Sequence, residues 1–133
     1  RHYQQAWIVI RAQKALCKYV DKFYINKNKV LPKNLLYKLD GLGLAIWYMD
    51  DGSPSYTKYN NLCGFILATM CFSDCELNLI QTFFKEKFDI NTSLYKNRCV
   101  YIKADSREKF LSLISEHIPK CMEYKISRKK QNN

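Results

Sequence analysis

Two adjacent acids, Asp50 and Asp51, end the apolar stretch LDGLGLAIWYMDDGS, and Gly52 follows them directly. Asp40 ahead of that stretch is a good helix N-cap and Gly52 a good C-cap, with room between them for about three turns. Carboxylates at the C-terminal end of a helix oppose its dipole, an unfavourable placement of roughly 0.3–1 kcal/mol. Gly41 and Gly43 sit in the first turns, where each costs about 1 kcal/mol relative to alanine. Together with Ala45 they would let another backbone approach closely. Local rules broken without structural gain point to function. This helix is where chemistry is expected.

Six cysteines (Cys17, Cys63, Cys71, Cys75, Cys99, Cys121) are the other metal-ligand candidates. No CxxC pair exists, Cys71 and Cys75 have three residues between them, and neither His2 nor His117 is near them in sequence. A zinc site would pair such a motif with a second one. Reduced thiols filling core positions are expected instead. The 22 Lys and Arg against 12 Asp and Glu leave a formal charge of +10, and the lysines interleave with ten tyrosines. A basic, aromatic surface suits a polyphosphate partner, because neutralising phosphates releases condensed counterions. No apolar run approaches transmembrane length, so no membrane partner is expected. Lys, Asn, Ile and Tyr, all with AT-rich codons, are abundant, which suggests an organellar origin in a mitochondrion or chloroplast. The chain starts at Arg1 without an initiator Met or a signal peptide, as a processed, trimmed or partial product would.

The elements that must position these residues follow from periodicity. Residues 6–11 (AWIVIR) read as a strand, and a helix runs from about Ala12 to Tyr24 with Ala15, Leu16, Tyr19, Val20 and Phe23 three and four apart. A basic connector, INKNKVLPKN, comes next, punctuated by Pro32. After the acid-ended helix, Ser53 to Tyr59 and Leu62 to Phe72 form a hairpin closed near Asn60-Asn61. Ser73 and Glu76 make a capping box for a helix through Phe88, with Leu77, Ile80, Phe83 and Phe84 inward. Asn91 to Tyr95 and Cys99 to Lys103 form a second hairpin around Lys96-Asn97-Arg98. Asp105 and Glu108 cap a last helix carrying Phe110, Leu111, Leu113 and Ile114, and a loop and basic tail close the chain. The order predicts an α+β fold, a four-stranded antiparallel sheet with its helices on one face.

Within that framework, residues 43–53 (GLAIWYMDDGS) resemble the motif that names the LAGLIDADG homing endonucleases, in the branch whose second motif reads roughly LAIWFMDDGS. Three further blocks agree in order. Residues 28–32 (NKVLP) are similar to that branch's basic stretch ahead of the motif, residues 67–73 (LATMCFS) to its LxTQSFS strand end, and residues 118–126 (IPKCMEYKI) to its closing IPPSMxYKL. The resemblance implies a pseudo-symmetric pair of domains joined through their motif helices, with Gly43 and Ala45 at that helix interface. Each motif helix would deliver one acid to a composite site, where divalent cations such as Mg2+ activate water and stabilise the leaving 3′ oxygen. By motif alignment Asp51 is the catalytic, metal-binding acid and Asp50 its more variable neighbour. Lys125 would be this half's basic residue near the scissile phosphates, and Lys29 the first half's. Residues 1–33 then look like the tail of a preceding half, 34–126 like the second half, and 127–133 like a basic tail. The first half's own motif helix is then expected from another chain or from upstream, unless the chain is a degenerate remnant of such a pair. The implied function is a homing endonuclease half making a site-specific, divalent-metal-dependent double-strand cut in DNA.

One segment departs from that pattern. A sheet lying in the major groove should alternate polar with apolar. Leu62 to Phe72 offers Leu62, Gly64, Ile66, Ala68 and Met70 on one face and Cys63, Phe65, Leu67, Thr69 and Cys71 on the other. Met70 also stands where the family usually has Gln. A strand apolar on both faces is normally buried on both. This supports an alternative, a non-catalytic RNA-binding descendant such as an intron maturase or an organellar ribosome-associated protein. The nucleic-acid contacts are then expected from Tyr56, Lys58, Tyr95, Lys96, Arg98, Tyr101 and Lys103. Lys and Arg suit the backbone, and tyrosines can stack on unpaired bases.

Overall fold

The computed structural model of the chain describes residues 14–127. The strand expected over residues 6–11, the start of the first helix and the tail 128–133 lie outside them. The chain divides into two units, residues 1–30 and 31–133.

In the first unit α1 (Lys14–Phe23) leads into a small antiparallel hairpin, β1 (Tyr24–Ile25) and β2 (Asn28–Lys29). The sequence predicted a connector here. Asn26 and Lys27 both adopt positive φ, 50° and 66°, the two-residue turn that matches strand twist.

The second unit runs α2 (Lys33–Leu36), α3 (Gly41–Asp51), β3 (Gly52–Tyr56), β4 (Leu62–Leu67), α4 (Asp74–Phe88), β5 (Thr92–Tyr95), β6 (Cys99–Ile102) and α5 (Arg107–Ile114). The four strands form an antiparallel sheet in the order β3-β4-β6-β5, as expected. Its inward side chains, Phe65, Leu67, Val100 and Ile102, share one core with α3, α4 and α5. Three rings knit the centre: Tyr48, Phe65 and Phe110 meet pairwise at 5.1–5.5 Å between centroids. Such pairs contribute about 0.5–1.5 kcal/mol beyond the area they bury.

The capping box of α4 is present. Ser73 Oγ accepts from the Glu76 amide at 3.4 Å, and the Ser73 amide donates to Glu76 Oε2 at 2.7 Å. Leu77, Ile80, Phe83 and Phe84 are all fully buried. At the other end of α4, Asp89 takes the left-handed conformation (φ 51°) that stops the helix. Its carboxylate accepts from Lys85 and Lys109, each at 2.6 Å, joining α4 to α5. Lys109 and then Lys85 hold that carboxyl at about 2, below its ordinary 3.8. The pair therefore favours the fold fully above pH 3.8, and this contribution is lost as pH falls through about 2. Asp89→Asn, which tolerates the left-handed turn, should lower Tm at neutral pH and flatten its decline across that acid window.

Other expectations are corrected. β4 stops at Leu67 rather than Phe72: the Ala68 amide still donates across to Asp51 O, and the chain then turns, the Phe72 amide donating to Thr69 O. Buried Thr69 continues the pairing by side chain, accepting from the Val100 amide and donating to Arg98 O. β3 stops at Tyr56, where Thr57 to Asn61 close a turn with Asn60 at φ 62°. Asp105 does not cap α5; its carboxylate accepts from Ser106 Oγ and Asn91 Nδ2. The cysteines do not generally fill the core. Only Cys99 is buried and Cys63 half-buried, whereas Cys17, Cys71, Cys75 and Cys121 fall on solvent-facing helix and turn positions. Among the described residues no helix is long and apolar enough to cross a membrane.

Candidate metal-binding end and nucleic-acid interface

α3 begins where Asp40 Oδ1 accepts from the Gly43 amide at 2.9 Å. It ends at Asp50 and Asp51, both exposed, and among the described residues neither carboxylate is in an ion pair. The acids still oppose the helix dipole, but Lys125 compensates. Its ammonium donates to Met49 O at 2.5 Å and to Gly52 O at 3.0 Å, a cation on the last carbonyls of the helix. The Tyr48 hydroxyl donates to Lys125 O at 2.6 Å, and burial pushes that phenol far above its ordinary range, so it stays a donor. Residues 120–125, a 3-10 segment, are thereby pinned to the end of α3. Asp51 and Lys125, 74 positions apart in sequence, share one helix end. Gly52 is required there by space rather than by handedness. Its φ is −95°, yet a Cβ would lie 2.1 Å from Tyr48 Cδ2 and 2.3 Å from Tyr48 O. Lys29 belongs to the first unit, exposed on β2.

An exposed carboxylate is the oxygen donor a hard cation prefers, and Mg2+ takes about six oxygens. Among the described residues, no three His, Cys, Asp or Glu side chains converge. Carboxylate oxygens are of the kind that Mg2+ takes, and Asp51 could supply a ligand to such an ion.

Two of the small residues of α3, Gly41 and Ala45, are used within the domain itself. Ala45 is fully buried in the domain's own core. A Cβ on Gly41 would stand 2.5 Å from Leu113 O, so the backbone that approaches closely is α5 of the same domain. Gly43 is half-exposed, and a Cβ there would meet only the tip of Leu39 at 2.8 Å. The solvent side of α3 carries larger groups: Leu42 and Ile46 are 49% and 56% exposed, with half-buried Met49 a turn further on. Spacing of four and three puts all three on one stripe that runs toward the acids. The spacing of Leu42, Ile46 and Met49 is itself a sequence signal of a helix face.

The face of the sheet opposite the helices also differs from expectation. Tyr56 pairs with Leu62 and Ser55 with Gly64, so Cys63 is an extra residue, a bulge. The bulge turns Leu62 inward with Phe65 and Leu67, and strict alternation along β4 fails. Register then places Ser53, Ser55, Ile66, Tyr101, Ser93 and Tyr95 on the outer face. It is a mixed polar surface rather than a second apolar one. The Tyr101 ring lies over Gly64, where a Cβ would come 2.4 Å from its hydroxyl. Burial, then the hydrogen bond with Cys63, pushes the Tyr101 phenol up to about 12. The rings of Tyr95 and Tyr101 are 5.8 Å apart.

Of the other expected contacts, Tyr95 and Lys96 are exposed at one hairpin tip and Lys58 at the other. Lys58 Nζ sits 4.9 Å over the ring of Tyr59, which is 73% exposed and was missed; the Asn60-Asn61 turn beside it was the available signal. Tyr56 does not face outward, since its ring packs on the core and its hydroxyl donates to Ser127 O. The Arg98 guanidinium is engaged by Phe72 O at 2.8 Å and Asp74 at 2.9 Å, fastening the β5–β6 turn to α4. Lys103 lines a cleft beside α4 with Gln81, Thr82 and Lys85, apart from the outer face. Met70 lies in the turn after β4, 55% exposed.

Residues 1–110 match the LAGLIDADG DNA endonuclease family. The chain is 31% identical over 109 residues to the cytochrome b mRNA maturase bI2 of Debaryomyces hansenii, covering 78% of this chain and 39% of that protein. It is 30% identical over 128 residues to a probable intron-encoded endonuclease 1 of Wickerhamomyces canadensis, covering 90% of this chain and 55% of the relative. The solved structure of the homing endonuclease I-WcaI bound to its DNA recognition sequence superposes with a TM-score of 0.78 at 28% identity, over 88% of this chain and 54% of that one. The chain thus spans about half or less of the length of these proteins.

Proposed function

The chain belongs to the LAGLIDADG DNA endonuclease family, and on that premise we propose that it is the second half of a homing endonuclease making a site-specific, divalent-metal-dependent double-strand cut in DNA. The observation that carries this is the end of α3, where an unpaired, exposed Asp51 stands beside a lysine anchored on the same turn. Asp51 would hold Mg2+ together with an acid from a first half. The bound ion would supply activation of water and charge stabilisation at the leaving oxygen. Lys125 spends two of its three N–H groups on Met49 and Gly52 carbonyls, which leaves one to meet a phosphate. The stripe Leu42, Ile46 and Met49 would seat the partner helix. Ser53, Ser55, Ser93, Tyr95 and Tyr101 would face the grooves, with Lys58 and Lys96 on the backbone. An organellar origin fits both the abundance of Lys, Asn, Ile and Tyr and relatives named for an intron and for cytochrome b mRNA.

Two relatives named as mRNA maturases favour a second reading, RNA binding without cleavage. The test joins this chain to its first half and incubates it with a randomised duplex library, with Mg2+ or with EDTA. Sequence-selective double-strand breaks that need Mg2+ are expected. Tight binding to RNA with no cleavage of any duplex would replace the first reading by the second.

A further inference from the structure

The charge excess is not spread evenly over the chain. Residues 1–30 hold seven Lys and Arg against one acid, Asp21, residues 31–127 hold twelve against eleven, and the tail 128–133 adds Arg128, Lys129 and Lys130 with no acid. Ahead of its tail, the α/β domain that carries the outer sheet face is therefore close to neutral, and residues 1–30 carry most of the excess. Its lysines are also ordered. Lys14, Lys18 and Lys22 recur every fourth residue of α1, on one side, while Leu16, Tyr19, Val20 and Phe23 occupy the other. Lys18 and Lys22 lie over the edge of that division, each within 6 Å of the Tyr19 ring centroid (5.3 and 5.9 Å). At about 1.5 Å rise per residue the three ammoniums stand roughly 6 Å apart along the axis. Phosphates on one strand of a duplex advance about 3.4 Å each along its axis, and winding sets neighbours further apart in space, so a row at this spacing can meet more than one of them. The β1–β2 turn adds exposed Lys27 beside the helix end.

We propose that the lysine side of α1, with Lys27, is a second nucleic-acid contact that grips the phosphate backbone without reading sequence; it rests on the nucleic-acid reading above. It would supply the salt-dependent part of affinity, leaving selectivity to the near-neutral sheet. Backbone phosphates of a DNA duplex and of folded RNA offer the same chemistry, and the two sources separate by probe.

The test measures binding of the full chain, by fluorescence anisotropy across a salt series, to a mixed-sequence DNA duplex and to an RNA hairpin. The triple variant Lys14→Gln, Lys18→Gln, Lys22→Gln keeps helix propensity. Against it stands Lys33→Gln, Lys38→Gln, Lys120→Gln, which removes equal charge from the second unit. For the nucleic acid that α1 holds, the α1 variant should show a log K against log salt slope shallower by about 2–3, since each duplex phosphate contact contributes about 0.9. The second variant should stay near wild type. Equal slopes in the α1 variant and wild type, or equal losses in both variants, would overturn the contact. Unchanged nucleic-acid binding in the α1 variant with lost binding to anionic phospholipid vesicles would assign the helix to a membrane surface instead. If the wild-type chain binds neither probe, the nucleic-acid reading itself falls.

Discussion

Asp51→Asn, in the chain joined to its first half, is expected to slow Mg2+-dependent DNA cleavage by about 10³-fold, equivalent to roughly 4 kcal/mol of barrier. The amide keeps the shape of the carboxylate but not the charge that a divalent ion requires. Folding should not suffer. Asp51 is exposed, and its backbone carbonyl accepts from the Ala68 amide at 2.9 Å, a bond the substitution leaves in place. Removing an acid from the C-terminal turn of α3 should even stabilise the helix slightly, by about 0.3–1 kcal/mol. Single-turnover cleavage and thermal unfolding, measured on one preparation, separate these effects. Cleavage at the wild-type rate would remove Asp51 from the chemistry. A large loss of Tm would mean that the acid is structural, against its lack of partners. Under the maturase reading the same change leaves RNA affinity untouched.

The limits of α3 and the inward set of α4 were legible because each is a local signal: Asp40, Gly52, the Ser73–Glu76 box and the spacing of Leu77, Ile80, Phe83 and Phe84. What was not legible depends on contacts between distant segments. Nothing near Asp50 and Asp51 in sequence announces the cation that relieves them, because it comes from Lys125. Smallness is equally ambiguous. Gly41 and Ala45 signal that something approaches closely, but not whether it is α5 of the same domain or a helix of another. The bulge at Cys63 escaped for a different reason. Leu62, Cys63, Gly64, Phe65 and Ile66 are all small or apolar, so a period of two leaves no trace when one residue slips out of it. The family motif picks out Asp51 and Lys125 but not the residues packed around them, since it records positions and not packing.

The two sides of α3 make opposite predictions, and the second large effect follows from them. Ala45→Leu should destabilise the domain itself, because its side chain has no exposed surface and faces the α5 contact that Gly41 allows to be so close. Three extra carbons forced into a filled core cost about 1–3 kcal/mol. For a domain of this size that is a fall in Tm of about 10 °C. Ile46→Lys should behave in the reverse way. At 56% exposure the isoleucine contributes little to this domain's own stability, and lysine is the better helix former. Against a partner helix, however, the substitution buries an unpaired ammonium, which costs several kcal/mol. The variant should therefore melt like wild type alone and fail to associate with the first half in sedimentation. An unchanged Tm for Ala45→Leu would show that the α3–α5 crossing has room to spare. Normal association of Ile46→Lys would show that the Leu42–Ile46–Met49 stripe faces something other than the partner helix.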